Sequence, residues 1–158
     1  MPMTQVEMET LLTDFPYGGC RAHGEADLES VRRLRGPLRE LFTSDRDDAV
    51  RLVNGILAGH GARLQLVRHD EGDWHPHAIE ASAPLASRIA VAAAMAMIDL
   101  IRADELERLS ICTGNLCDGI VVDLSRNRTR RFCSTACGNR AAAAAYRARK
   151  VRSQARIP

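Results

Sequence analysis

Four cysteines within 26 residues constrain this chain more than anything else in it: Cys112, Cys117, Cys133 and Cys137, separated by four, fifteen and three residues. Zinc takes four ligands at tetrahedral corners, with sulfur at ~2.3 Å, and two close pairs can fill those corners if the chain between them folds back. The intervening residues suit such a return. Thr113, Gly114, Asn115 and Leu116 read as a turn, Ile120, Val121 and Val122 as a short β run, and Ser125, Arg126, Asn127 and Arg128 as the next turn. Arg131 and Phe132 lead back to Cys133, and a helix starting around Ser134 to Gly138 carries the last ligand pair on its first turn. The expected arrangement is treble-clef-like, or a ribbon. Four buried thiols or two disulfides are the competing readings, and both the paired spacing and a reducing compartment favour metal. With every corner filled by protein the ion is structural, because catalysis needs an open position. A module of ~45 residues with few large apolar side chains should not fold without it. The fifth cysteine, Cys20, lies far from the cluster and receives no role.

The charge is divided along the chain. Residues 1–109 hold 12 Lys and Arg against 18 Asp and Glu, a balance of −6, whereas residues 110–158 hold 10 against 2, a balance of +8. A polycationic segment of this kind points to a polyanion, with nucleic acid ahead of a membrane. Arg140, Arg147 and Lys150 form a stripe by helical spacing, flanked by Arg149, while Arg126, Arg128, Arg130 and Arg131 make a second patch on the preceding turn. Guanidinium forks suit phosphate, although phosphate contacts position a protein without reading sequence. For Arg126 and Arg131 the alternative task is packing against the thiolates or capping the turn. The run of Ala before Tyr146 gives the helix high propensity and a slim face.

Aromatics make up only 4% of the chain and Ala is abundant, which favours helix over sheet in the first 109 residues. The first 25 residues carry few periodic signals and are expected to be poorly ordered, with a turn at Phe15, Pro16, Tyr17, Gly18 and Gly19. From Asp27, a candidate N-cap, Leu28, Val31, Leu34, Leu38, Leu41 and Phe42 mark a helical face that Gly36 and Pro37 should kink or split. Beyond Ser44, with Asp45, Asp47 and Asp48 favouring the helix dipole, Val50, Val53, Ile56 and Leu57 predict a second helix stopped by Gly59 and Gly61. Residues 63–68 and 75–81 read as a β-hairpin. Leu85, Ile89, Ala92, Ala96, Leu100 and Leu109 then predict a long helix from about Pro84 to Leu109 that organises the core. His75 and His77 would project to one side of their strand, but two ligands are too few for a metal site, so they read as exposed structural residues.

The stretch 84–101 is broken by Arg88 and Asp99, so it reads as a buried helix and no membrane segment is expected. No secretory signal opens the sequence, and a cytoplasmic address is expected. No phosphate-cradling Gly-rich loop and no Ser/His/Asp or Cys/His arrangement with recognisable spacing is present, so an enzyme is not expected.

Several runs resemble a known family. Asp123, Leu124, Ser125, Arg126 and Asn127, then Arg131, Phe132, Cys133 and Ser134, then Cys137, Gly138, Asn139 and Arg140 with Tyr146, Arg147, Ala148 and Arg149 look like the CGNR zinc finger, over about residues 108–150. The resemblance implies an N-terminal ABATE domain and a role in transcription regulation. The expected fold is mainly α with a small β element (α+β): an ABATE-like helical domain with a hairpin over 1–109, then a zinc finger and basic helix over 110–158. The expected function is zinc-dependent binding of nucleic acid, DNA ahead of RNA, with an N-terminal domain that senses a ligand or forms a homodimer. An RNA-binding zinc protein and a zinc-stabilised protein-interaction module are the alternatives. The sequence leaves room for a small-molecule pocket between the long helix and the hairpin, without naming its ligand.

Overall fold

The longest apolar stretch forms the helix around which the first half of the chain is arranged, as seen in a computed structural model that describes residues 4–14, 24–68 and 74–154. The chain divides into two compact units, residues 1–105 and 106–158. The first comprises α1 (Gln5–Asp14), α2 (Glu25–Arg33), α3 (Arg35–Thr43), α4 (Arg46–Gly59), β1 (Gln65–Val67), β2 (His75–His77) and α5 (Leu85–Arg102). The second comprises a 3-10 turn (Leu106–Arg108), β3 (Leu109–Ile111), β4 (Ile120–Val122) and α6 (Thr135–Gln154). Each two-stranded sheet is antiparallel. The class is therefore α+β and mostly helical, with a cysteine-cornered finger following a helical unit.

Helix α5 packs against α4 and α2, and its alanines are what allow two neighbours at once. One face, Leu85 and Ile89, joins Met8, Leu28 and Val31 in a buried cluster closed by Leu12, Leu34, Leu38 and Ala86. A second buried face, Ala90, Ala94, Met97 and Ile101, lies roughly a third of a turn away. The predicted face was different. Ala92 and Ala96 are exposed, because in a run this rich in Ala the small residues mark no face and the large ones decide. The helix also ends earlier than expected, at Arg102. Asp104 adopts φ 57°, and the bonds Glu105 N–H to Leu100 C=O (2.9 Å) and Asp104 N–H to Ile101 C=O (3.3 Å) close a Schellman motif. Asp substitutes for the usual Gly because its short side chain tolerates the left-handed region. Leu109, placed at the helix end by periodicity, instead begins β3.

The Gly36–Pro37 break is real but falls at Leu34. Pro37 occupies the first turn of α3, where its missing N–H would have had no intrahelical partner. Gly24, not Asp27, is the N-cap of α2, and Asp27 lies inside its first turn. Asp45 caps α4 by accepting from Asp48 N–H at 2.9 Å. Gly61 ends that helix with φ 59°, and Ala62 N–H bonds Leu57 C=O at 2.9 Å. Val50 is exposed and Ala49 takes the buried position beside Val53. Arg46 ties the start of α4 to the end of α5, reaching Asp104 Oδ1 at 2.6 Å and Ile101 C=O at 3.0 Å.

The opening segment corrects the sequence reading. Residues 5–14 form α1, and Met8 is completely buried. Met8 and Leu12, four residues apart, cover the cluster on α2 and α5. A single apolar pair is too short a repeat to stand out, and only the waiting surface gives it meaning. The predicted turn at 15–19 and Cys20 lie outside the described residues. Replacing Met8 with Ala is expected to destabilise the helical unit by about 2–4 kcal/mol, from lost burial plus a residual cavity. Urea unfolding followed by far-UV circular dichroism checks this, and a loss below about 0.5 kcal/mol would show that α1 contributes nothing to the core.

Candidate metal centre and basic surface

The four cysteines of the second unit meet at one point, each delivered by a different local device. Cys112 follows β3, whose pairing with β4 continues as Cys112 N–H to Gly119 C=O at 2.8 Å. Cys117 closes a turn through its N–H to Gly114 C=O, 3.1 Å, with Leu116 at φ 59° just before it. Cys133 precedes α6. Cys137 sits in that helix's first turn, where Ser134 caps it by accepting Cys137 N–H on Oγ at 3.2 Å. Only Cys137 of the last pair is helical, a small departure from the expected first-turn pair.

All four Sγ atoms lie within 4.8 Å of one another. Those of Cys117, Cys133 and Cys137 are spaced 3.6 Å apart in each pairing. Sulfurs around a tetrahedral zinc at ~2.3 Å sit ~3.8 Å apart, whereas a disulfide brings them to ~2.05 Å. The spacing fits the ion and excludes the disulfide reading. The donor set, four thiolates with no fifth ligand group among the described residues, fits one structural zinc, and these four residues would hold it.

Thiolates so close need donors, and the backbone supplies them. Cys112 Sγ accepts the N–H groups of Gly114 and Cys133, both at 3.4 Å. The Cys133 N–H is the main reason the Cys112 thiol is drawn down to about 7. Cys133 moves the other way, pushed up to about 12 by sharing protons with the sulfurs of Cys117 and Cys137. Four adjacent thiols cannot ionise together unless a cation joins them. Arg140 adds a further donor, its Nη2 reaching Cys137 Sγ at 2.8 Å. The arginine bonded to a cysteine sulfur is thus Arg140, whereas the alternative weighed from the sequence was Arg126 and Arg131 packing against the thiolates or capping the turn.

The glycines here are spatial requirements. A Cβ on Gly119 would meet Cys133 Sγ at 3.0 Å and Cys133 Cβ at 3.2 Å, and one on Gly114 would meet Cys112 Sγ at 3.3 Å. Buried Asp123 organises the return loop. Its Oδ1 accepts Ser125 N–H (2.9 Å) and Ser125 Oγ–H (2.5 Å), and its Oδ2 accepts Arg130 N–H at 2.7 Å. The Ser125 hydroxyl is the foremost cause holding the carboxyl below the usual range. The loop's anchoring is therefore present at neutral pH and is lost as acid protonates Asp123. Spacing alone singled out neither Asp123 nor Gly119; only the Asx-turn pattern of Asp, one residue, then Ser offered a signal.

The eight basic residues separate into two groups. Arg130 is a clasp, donating from Nε to Phe132 C=O, from Nη2 to Cys133 C=O, both at 3.3 Å, and from Nη1 to Val122 C=O at 3.5 Å. Arg128, at φ 50°, pairs with Glu107, and Arg140 holds the cluster. Arg131 lies over the Phe132 ring, 5.8 Å from its centroid, with its head exposed. Arg126, Arg147, Arg149 and Lys150 are exposed. The stripe expected of Arg140, Arg147 and Lys150 is thus shortened at its inner end. Unforeseen was Arg108, whose Nη1 bridges Asp123 C=O (3.0 Å) and Ser125 C=O (3.3 Å).

Residues 108–150 match the CGNR zinc finger. Residues 10–104 match ABATE, described as "Putative stress-induced transcription regulator". The chain belongs to the ABATE family. Its CGNR run is Cys137, Gly138, Asn139 and Arg140, and two of these four have visible tasks: a sulfur ligand and the arginine bonded to it. Gly138 lies 3.5 Å, at its would-be Cβ, from the Phe132 ring that covers the cluster. Among curated proteins none matches this ABATE chain. No helix among the described residues is long and apolar enough to cross a membrane.

Chelating the zinc is expected to abolish amide protection at Cys112 and Val121 while Val53 and Met97 stay protected, as read by hydrogen exchange; retained protection in the finger would contradict metal-dependent folding. Because more than one thiol must shed a proton, zinc affinity should weaken at least roughly tenfold per pH unit below pH 7, with protons released on loading, measurable in a weakly buffered indicator. Gly119→Ala should lower zinc affinity about tenfold in a chelator competition, and an unchanged value would mean that the Cys133 sulfur can move aside freely.

Proposed function

We propose that this zinc-binding protein is a DNA-binding transcription regulator, with α6 and the outward arginines of the 126–131 turn as its phosphate contacts. The carrying observation is the state of α6: residues 142–150 are all exposed, so this part of the helix buries no face in its own unit. A helix with no packed face draws no support from its own core, and its high Ala propensity and a polyanionic partner would supply what packing does not. Beyond its first turns it extends for ~18 Å at 1.5 Å per residue, enough to follow several phosphates in a groove. Arg147, Arg149 and Lys150 lie on this part, in the segment whose balance is +8. The inward tasks of Arg128, Arg130 and Arg140 make the zinc centre a rigid mount for that surface. Duplex DNA is preferred to RNA because Tyr146 is the only aromatic on α6, which leaves little for stacking on unpaired bases.

The helical unit would be the sensing part. A cavity of about 530 Å³ lies among the end of α4, the hairpin and the start of α5, lined by His60, Arg63, Gln65, His77, Glu80 and Ser87 among others. Its size falls in the range of small-molecule sites.

Binding to duplex DNA should fall steeply with salt, and the R147A/R149A/K150A triple variant should flatten the log–log slope by about two to three, since each lost phosphate contact removes ~0.9. The variant should retain its zinc. Tighter binding to single-stranded or folded RNA than to duplex would favour the RNA reading. Absence of nucleic-acid affinity at low salt, with zinc in place, would leave the finger as a protein-interaction module.

A further inference from the structure

The hairpin of the helical unit holds a pair of imidazoles that the zinc finger does not use. The β1–β2 register sets Gln65 opposite His77 and Val67 opposite His75, so these four side chains share one face. Alternate residues on a strand stand ~6.6 Å apart at the backbone. His75 and His77 nevertheless converge until their Nε2 atoms are 3.2 Å apart, with the ring planes at 63°. Both rings are half-buried. Two imidazole nitrogens bound to one ion at 2.0–2.1 Å lie ~2.9 Å apart at a right angle and ~3.4 Å apart at the tetrahedral angle, and the observed separation falls between. Pro76, between them, fixes its own φ and faces the opposite side of the strand, which keeps both rings on the same face.

Their alternation along the strand gives these two His only an exposed structural role. The half-buried, converging Nε2 atoms revise that reading, and we propose that His75 and His77 chelate a divalent late transition-metal ion, Ni²⁺, Cu²⁺ or Zn²⁺, at a second site separate from the finger. Imidazole is the ligand these ions prefer among neutral side chains. Among the described residues no third His, Cys, Asp or Glu joins the pair in a ligand group. The two imidazole nitrogens would fill two of the ion's positions, leaving the others to water or further donors. His77 also lines the 530 Å³ cavity, so those positions face a volume able to admit water or a small donor ligand. The site differs in its donors from the four-sulfur centre, and it stands whether or not the finger binds DNA.

The competing account of the 3.2 Å separation is a plain hydrogen bond, one imidazole donating to the other. The two differ in metal uptake. Untagged full-length protein with its finger zinc in place is titrated with Ni²⁺, and bound nickel and zinc are measured after equilibrium dialysis. One equivalent of nickel is expected, with zinc retained. Paramagnetic broadening in the amide spectrum should centre on Gln65, Val67, His75 and His77. The H75Q/H77Q variant should bind nickel at least tenfold more weakly with finger zinc unchanged. No nickel uptake up to ~1 mM, or uptake equal in wild type and variant, would overturn the site and leave the hydrogen bond. If the variant unfolds, the broadening pattern in the wild-type protein decides alone: centred on the hairpin it supports the site, centred elsewhere it refutes it.

Discussion

Four sulfurs drawn within reach of a single ion are what the second unit depends on. Among the described residues its buried apolar cluster is Val121, Cys112 and Cys137, with partly covered Phe132, Cys117 and Cys133. A fully buried side chain of this size contributes about 1.5–3 kcal/mol, so this core cannot offset the ordering of some fifty residues. Structural zinc contributes about 10–16 kcal/mol in comparable modules, several times the hydrophobic share. It also carries the left-handed Leu116 and Arg128, each at a cost of about 1–2 kcal/mol. Leu116 is fully exposed as well, so its side chain recovers nothing by burial.

That dependence explains the distribution of the arginines. A four-thiolate zinc carries a net charge of −2, and the fold answers it with backbone N–H groups, a helix N-terminus and Arg140. Arg108 and Arg130 then bind carbonyls of the return loop, holding Asp123 where it can fasten that loop. Arg126, Arg147 and Arg149 stay exposed, and in the proposed reading they are the charge offered to a polyanion. A count of basic residues overstates the outward basic surface, because several of them are fastened inward.

The helical unit solves a different problem. It has a true core, built where α5 offers one face to α1 and α2 and another turned about a third of the way round. Alanine makes this feasible by letting helices approach on more than one side. It also conceals the answer, since Ala92 and Ala96 read as core while lying in solvent. Helix α1 was invisible for a related reason: Met8 and Leu12 are an ordinary pair until the surface they cover exists.

By itself the sequence determined the zinc centre, the charge division, the hairpin, both ends of α4 and the starts of α5 and α6, because each rests on contacts between residues close along the chain or on ligands of fixed chemistry. Spacing of cysteines, a capping Asp45 and a left-handed Gly61 are local statements of geometry. Tertiary structure decided which faces of α5 are buried, that α1 is core, that Asp104 ends a helix, and which arginines turn inward. Those outcomes depend on what stands opposite each residue after folding. Burial and hydrogen bonding between distant segments select among side chains that look alike in the linear chain.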